Sequence, residues 1–229
     1  MISRSERVAT TAAGWDRVVA LSAIAGGVLA LASSMLLGAA FGFDITDVAP
    51  DLTVLPANRA GLVRWGALTD MLGFYLLSVP VALHLRHRLA GPDDPLMDLA
   101  TVAGLMYACI GSIGAVIVAT VVPPLLGDGG PQATTGLRLV RDVVFVGLWQ
   151  TLETIPWSVW MLVVGARLRR ASGLLGSTAM TIGGAAPVGA AARIAGIEAL
   201  VGVPVALAIG LFPCWQLGLG LRIVRSGAS

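Results

Sequence analysis

The sequence predicts an all-α fold: a polytopic transmembrane helix bundle of six helices with both termini cytoplasmic. Three observations predict it. The 229-residue chain is 56% hydrophobic and only 12% charged, with a mean hydropathy of +0.86, whereas soluble domains carry about 25% charged residues. Its apolar residues gather into long runs parted by short stretches rich in Arg, Asp, Gly and Pro. That is the layout of spans and loops, and the ~10-residue alternating segments of a transmembrane barrel do not occur. The arginines are also unequally shared. If both ends face the cytoplasm, ten of the fifteen lie on that side, as the excess of positive charge in cytoplasmic loops requires.

Residues 1–17 read as a cytoplasmic lead and 18–225 as a single six-helix domain, with spans at about 18–43, 62–85, 96–122, 140–166, 174–186 and 193–222. The first run, Val18 to Phe43, exceeds the ~7–15 residues of a signal-peptide core and reads as an uncleaved helix. In it Gly26, Ala30, Ser34 and Gly38 recur every four residues, a small-residue stripe for close helix packing. A solvated acidic loop, Asp44 to Arg59, follows. It lacks the dense oxygen ligands and turn Gly of a calcium loop. The second span holds Asp70 and Pro80 and ends in His84 and His87, read as a solvated pair beside arginines. Gly91 to Pro95 makes a turn. The third span carries a second stripe, Gly111, Ala115 and Ala119, and is expected to stop at Pro123-Pro124 before a Gly- and Pro-rich loop.

The fourth span centres the functional reading. Stepping 100° per residue, Asp142, Val146, Trp149, Gln150, Glu153, Trp157 and Trp160 fall within an arc of about 100°. Val144, Leu148, Ile155, Val159 and Leu162 fall opposite. An ionised carboxylate at mid-membrane costs at least ~2.5 kcal/mol, so this face should look into protein or water. The fifth span is short and rich in Gly, Ser, Thr and Ala, and should be covered by neighbouring helices. The sixth is expected to begin near Arg193 with Glu198 in its first turns. Trp160, Gly165, Arg167 and Arg170 are matched in spacing by Trp215, Gly220, Arg222 and Arg225, a pattern of parallel duplication or of interfacial Trp and Arg on any helix.

Asp70, Glu153 and Glu198 could together line an outward-opening polar cavity for an ion, a proton or a cationic ligand, with Gln150 beside Glu153. The opposing expectation pairs each acid with Arg64, Arg141 or Arg193 as helix glue. Trp149, Trp157 and Trp160 suit either an aromatic box for a cation or ordinary packing. A net charge of +2 gives no case for nucleic acid. All fifteen basic residues are Arg, which excludes a Lys Schiff base and the usual retinal pigment. Cys109 and Cys214 read as buried free thiols. No HExxH, CxxC, GxSxG, phosphate-binding loop or dinucleotide fingerprint occurs in context, and no cofactor or metal site is expected.

The six spans, with Ile155-Pro156-Trp157 through Arg169 and Phe212-Pro213-Cys214-Trp215 through Arg222, resemble uncharacterised multi-spanning bacterial integral membrane proteins of actinobacterial type. The resemblance implies a multi-pass protein of the bacterial plasma membrane and no particular activity. Size and topology are also similar to substrate-binding subunits of vitamin transporters. The leading expectation is a small-solute or proton-coupled transport component centred on Glu153. The second is a membrane partner or sensor subunit docking another membrane protein through its small-residue stripes, and the third a membrane enzyme. The lipid bilayer is a partner in all three.

Overall fold

The computed structural model describes residues 4–43, 49–197 and 200–226. Within them the chain is all-helical, without strands. The elements are α1 (Arg4–Phe41), two 3-10 turns (Leu52–Val54 and Ala57–Arg59), α2 (Ala60–Asp70), a π-helical segment (Met71–Leu76), α3 (Ser78–Leu89), α4 (Pro95–Asp128), α5 (Pro131–Val140), a second π-helical segment (Arg141–Leu152), α6 (Thr154–Leu168), α7 (Gly173–Ile194) and α8 (Gly202–Ser226). The π segments join α2 to α3 and α5 to α6, so the described residues form six rods. Five stretches are long and apolar enough to cross a membrane: Gly14–Phe41, Ala57–Leu89, Pro95–Asp128, Gly173–Ile194 and Gly202–Ser226. This is the architecture of a multi-pass integral membrane protein. The α5–α6 rod is not among the five, because Arg141, Asp142, Gln150 and Glu153 dilute its apolar run.

Helix ends depart from expectation mainly at prolines. α4 continues through Pro123 and Pro124 to Asp128 and stops at Gly129, where φ is +62°. Helix resumes at Pro131, so most of the expected Gly- and Pro-rich loop is helical. α7 likewise runs through Pro187 to Ile194, past the expected end at Ala186, and stops at Gly196 with φ +72°. α8 then begins at Gly202 rather than near Arg193. In an apolar layer a broken helix has no water to satisfy its freed groups, so proline is carried inside and a left-handed glycine makes the stop. α1 also extends back to Arg4, through the expected lead.

Two apolar clusters hold the bundle. One is aromatic and central, built around Tyr107, Trp157, Trp160, Phe212 and Trp215. The other closes the end near the α1–α2 loop, where Leu52 is fully buried against Val63, Val118, Val122 and Leu137. Asp51 starts that loop's 3-10 turn by accepting from Thr53 N at 2.9 Å and Thr53 Oγ1 at 2.7 Å. Arg141 Nε fixes the loop from across the bundle by donating to Ala49 O at 2.9 Å.

The opposite end carries the ion pairs that join different helices. Arg88 reaches Asp16 at 3.0 Å, Arg167 reaches Asp94 at 2.9 Å, and Arg86 pairs with Asp98. His84 is buried with Nδ1 3.5 Å from Asp16, so only exposed His87 fits the expected solvated pair. The cysteines are free, but both lie on exposed faces rather than buried. α7 is no better covered than its neighbours: 44% of its apolar 18-residue stretch is buried, equal to α1, α4 and α8. Its glycines seat neighbours on one face, with Gly176 against the Arg169 backbone and Gly183 against Leu162. Two of its threonine hydroxyls are satisfied within the helix, Thr178 on Leu174 O and Thr181 on Ser177 O, both at 3.0 Å.

The small-residue stripes pack inward. Gly26 abuts Gln216 and the Gly73 carbonyl, Ala30 is fully buried against Gly73, and Gly38 lies under the Phe43 ring. In α4, Ala115 and Ala119 are buried and Gly111 lies against the Tyr75 ring. Trp160 and Trp215, the matched pair of the two similar endings, meet edge to face at 6.1 Å. The matched Gly165 and Gly220 each lie against a neighbouring helix backbone, at Gly176 O and Ala20 O.

Candidate functional site

Two prolines shape the backbone at the site. Pro80 and Pro156 have no N–H to give to the carbonyls four residues earlier, Leu76 and Leu152. Those two residues are the last of the two π segments. Just beyond them the bonding steps back five residues instead of four, with Leu77 N donating to Leu72 O at 3.0 Å and Glu153 N to Leu148 O at 2.8 Å. Widened turns of this kind re-aim side chains and recur at functional sites. Asp70 immediately precedes the first π segment and Glu153 immediately follows the second.

The widening also rotates the expected face. From Gln150 onward the arc holds: Gln150, Glu153, Trp157 and Trp160 are buried, while Ile155 is 62% exposed. Upstream it fails. Val144, expected outside, is buried with Phe145, and Asp142, expected inside, is exposed beside Arg141. A π turn takes up more residues per revolution, so a 100° step cannot be carried through Arg141–Leu152.

Glu153 is 5% exposed and Asp70 8%. Tyr75 Oη donates to Glu153 Oε1 at 3.3 Å, and Ser33 Oγ donates to Asp70 Oδ1 at 3.2 Å. Glu153 Oε2 has no hydrogen-bond partner among the described residues. Neither acid has a cation within 4 Å among the described residues. Arg141, offered as a partner on sequence grounds, instead pairs with Asp142 at 3.1 Å and bonds the Ala49 carbonyl, and Arg64 is exposed. Glu198 lies outside the described residues.

Glycines on α4 leave room for the rings that frame Glu153. A methyl group at Gly111 would overlap the Tyr75 ring, and one at Gly114 would overlap the Trp149 indole. Trp149 Nε1 in turn donates to Gly111 O at 3.4 Å. Tyr75 contacts Tyr107 with ring centroids 5.2 Å apart, and Tyr107 stacks on Trp157 at 5.3 Å. Trp160 belongs to the core and does not reach the cavity, so the expected three-Trp box reduces to Trp149 and Trp157.

These groups line a cavity of about 390 Å³. Asp70, Tyr75, Gln150 and Glu153 give it a polar patch, and Phe74, Phe145, Trp149 and Trp157 an aromatic wall. It extends along α1 to Phe41, Phe43 and Pro50, at the end of the bundle holding the α1–α2 loop. The volume suits a small organic molecule. Of the residues singled out in the sequence, Asp70, Trp149, Gln150, Glu153 and Trp157 are brought together here. Tyr75, Tyr107 and Ser33 were missed. One signal for the tyrosines was available: the chain has only two, and both lie inside apolar runs where a phenol needs a polar partner. Ser33, one hydroxyl among small residues, gave none.

The chain matches no protein-family model, no curated protein and no solved structure, so its functional reading stands on this geometry.

Proposed function

We propose that this chain is a small-solute or proton-coupled transport component of a bacterial plasma membrane, with the cavity around Glu153 as its binding site. In this reading six rods span the bilayer, both termini are cytoplasmic, and the cavity faces outward. It extends the resemblance to multi-spanning bacterial membrane proteins. One observation carries it: a deeply placed carboxylate, with no cation and with one oxygen unpartnered among the described residues, borders a cavity large enough for a ligand. A helix-pairing acid would have both oxygens engaged by its neighbour, because an unmet buried polar group is costly. The arginine-rich end, where Arg88 pairs with Asp16 and Arg167 with Asp94, supports this orientation.

Glu153→Gln tests the reading. The amide nearly preserves volume and still accepts from Tyr75, so the bundle should stay folded while Glu153 loses its charge and its ability to exchange a proton. Wild type and variant are compared for thermal stability and for pH-dependent solute or proton uptake in liposomes. The expected result is near-unchanged folding with uptake lost. A variant at least as stable, with unchanged uptake at every pH, would make Glu153 structural glue, since removing a buried charge is often neutral or stabilising.

A further inference from the structure

The cavity has a side opening as well as an end. On α1, Ser34, Met35 and Gly38 line it, and on α8, Ala206, Ile209 and Gly210 do. Met35 is 58% exposed, Ile209 37% exposed, and Gly210 is exposed too. These residues therefore border both the cavity and the outer surface of the bundle. Met35 lies six residues before the end of α1, and Gly210 eight residues after the start of α8. At ~1.5 Å per residue they sit roughly 9 and 12 Å inside their helix ends, at hydrocarbon depth. The same two helices are closed over their other halves. A methyl at Gly27 would sit 2.8 Å from Pro213 O, and one at Gly220 would sit 2.9 Å from Ala20 O. The gap is thus confined to the cavity's level.

We propose that the occupant is a membrane-partitioning amphiphilic amine that enters from the lipid between α1 and α8. This rests on the reading of Glu153 as a binding group and adds the ligand's class and route. An apolar body suits the aromatic wall and a passage bordered by Met35 and Ile209. A single amine suits two carboxylates that have no cation within 4 Å among the described residues, in a cavity also lined by the rings of Tyr75, Tyr107 and Trp157. A strongly hydrated solute would gain nothing from a passage at that depth.

The test uses the full chain in phosphatidylcholine liposomes, following energy transfer from tryptophan to dansyl with N-dansyl-1,8-octanediamine. Its neutral counterpart, N-octyl dansylamide, and unlabelled octylamine and choline as competitors complete the set. Expected are saturable transfer for the diamine alone, displacement by octylamine but not by choline, and at least tenfold weaker binding in Glu153→Gln. Gly210→Phe should slow the onset of transfer at least tenfold. A side chain there enters open space, with nothing within 4 Å of a Cβ, so the variant should fold. Met35→Phe closes the gap from the other helix and should act in the same direction. Leu207→Phe, on a lipid-facing position of α8 outside the cavity, should leave onset unchanged. Choline competing as well as octylamine, with onset untouched by both gap variants, would overturn the amphiphile and its route while leaving Glu153 as a binding group. Equal binding of diamine and neutral amide that Glu153→Gln does not weaken would overturn the amine. No saturable transfer from the diamine would overturn the inference, and the uptake comparison of wild type with Glu153→Gln then decides the binding site separately.

Discussion

Gly111→Ala tests how the fold holds Tyr75 onto Glu153. The added methyl would occupy space held by three ring carbons of Tyr75, Cδ1, Cε1 and Cζ. α4 has little room to retreat, because Ala108 and Ala115 on the same helix are 3% and 0% exposed. The ring must move, and its contacts with Tyr107 at 5.2 Å and Phe74 at 6.3 Å resist that. Overpacking of this kind costs ~1–3 kcal/mol. A moved ring also draws Oη away from Glu153 Oε1, where the bond at 3.3 Å has little slack. Stripping a buried carboxyl of its partner adds ~1–3 kcal/mol, for a total of ~2–6 kcal/mol. Tyr75→Phe separates the two terms, since it keeps the ring and removes only the hydroxyl. In a double-mutant cycle read by equilibrium unfolding in detergent, Gly111→Ala should cost only the overpacking share, ~1–3 kcal/mol, when Phe occupies position 75. A Gly111→Ala variant as stable as wild type would refute the ring seat. Strictly additive losses would refute the link from Gly111 through Tyr75 to Glu153.

Three further outcomes are expected. Pro156→Ala restores the N–H that Leu152 O lacks, so the second π segment should shorten and turn Glu153 off the cavity; Glu153-dependent uptake should fall with thermal stability kept, and unchanged uptake would count against the role given to the proline. Thr53 holds the Asp51 carboxyl below its ordinary range, first through its hydroxyl and then through its N–H. A carboxyl lowered in the fold stabilises it above the unfolded pKa of ~3.9 and loses that contribution as pH falls through the folded value, so amide protection in the loop of residues 49–55, taken relative to intrinsic exchange at each pH, should fall below about pH 4, and Asp51→Asn should abolish that fall. Reporter fusions at Asp51 and Gly129 should appear outside and one at Arg170 inside; an outside signal at Arg170 would invert the bundle and the cavity with it.

The fold class was legible because hydropathy and Arg placement act locally, span by span. The ends of α4 and α7 were not, because Pro123, Pro124 and Pro187 were read by rules for helices in water. Among apolar neighbours the alternative to a strained helix is an unsatisfied backbone, and α4 runs to Gly129 and α7 to Gly196. The site was legible where it lies on a single regular helix. Glu153 and Trp157 follow the 100° step, and Gln150 follows as the last position before the phase is lost. What Asp70 and Glu153 bond to was hidden, since Ser33 and Tyr75 come from other rods and no pattern within one span reports a neighbour.

A spacing within the chain nevertheless marks the site. In each rod that carries a buried acid, a proline stands four residues after the π segment's last residue: Pro80 after Leu76, and Pro156 after Leu152. Prolines alone do not make the segment, for α4 and α7 carry Pro123, Pro124 and Pro187 and stay α-helical. The difference lies in what the freed turn can reach. Around Leu76, Tyr75 O accepts from Ser78 Oγ at 2.6 Å while Tyr75 Oη turns to Glu153. Around Leu152, Thr151 Oγ1 donates to Val146 O at 2.8 Å and Thr154 Oγ1 to Thr151 O at 2.8 Å. Hydroxyls next to the proline gap thus bond to carbonyls of the widened turn and hold it open. Thr120 and Thr181 lie as near the carbonyls freed in α4 and α7, but their hydroxyls bond four residues back, to Val116 O at 2.7 Å and Ser177 O at 3.0 Å, and those helices stay regular, whereas the hydroxyl bonds at the π segments step back three or five residues. Both acids stand where such a segment meets regular helix, so the widened turn sets the phase between the acid's face and the rest of its rod.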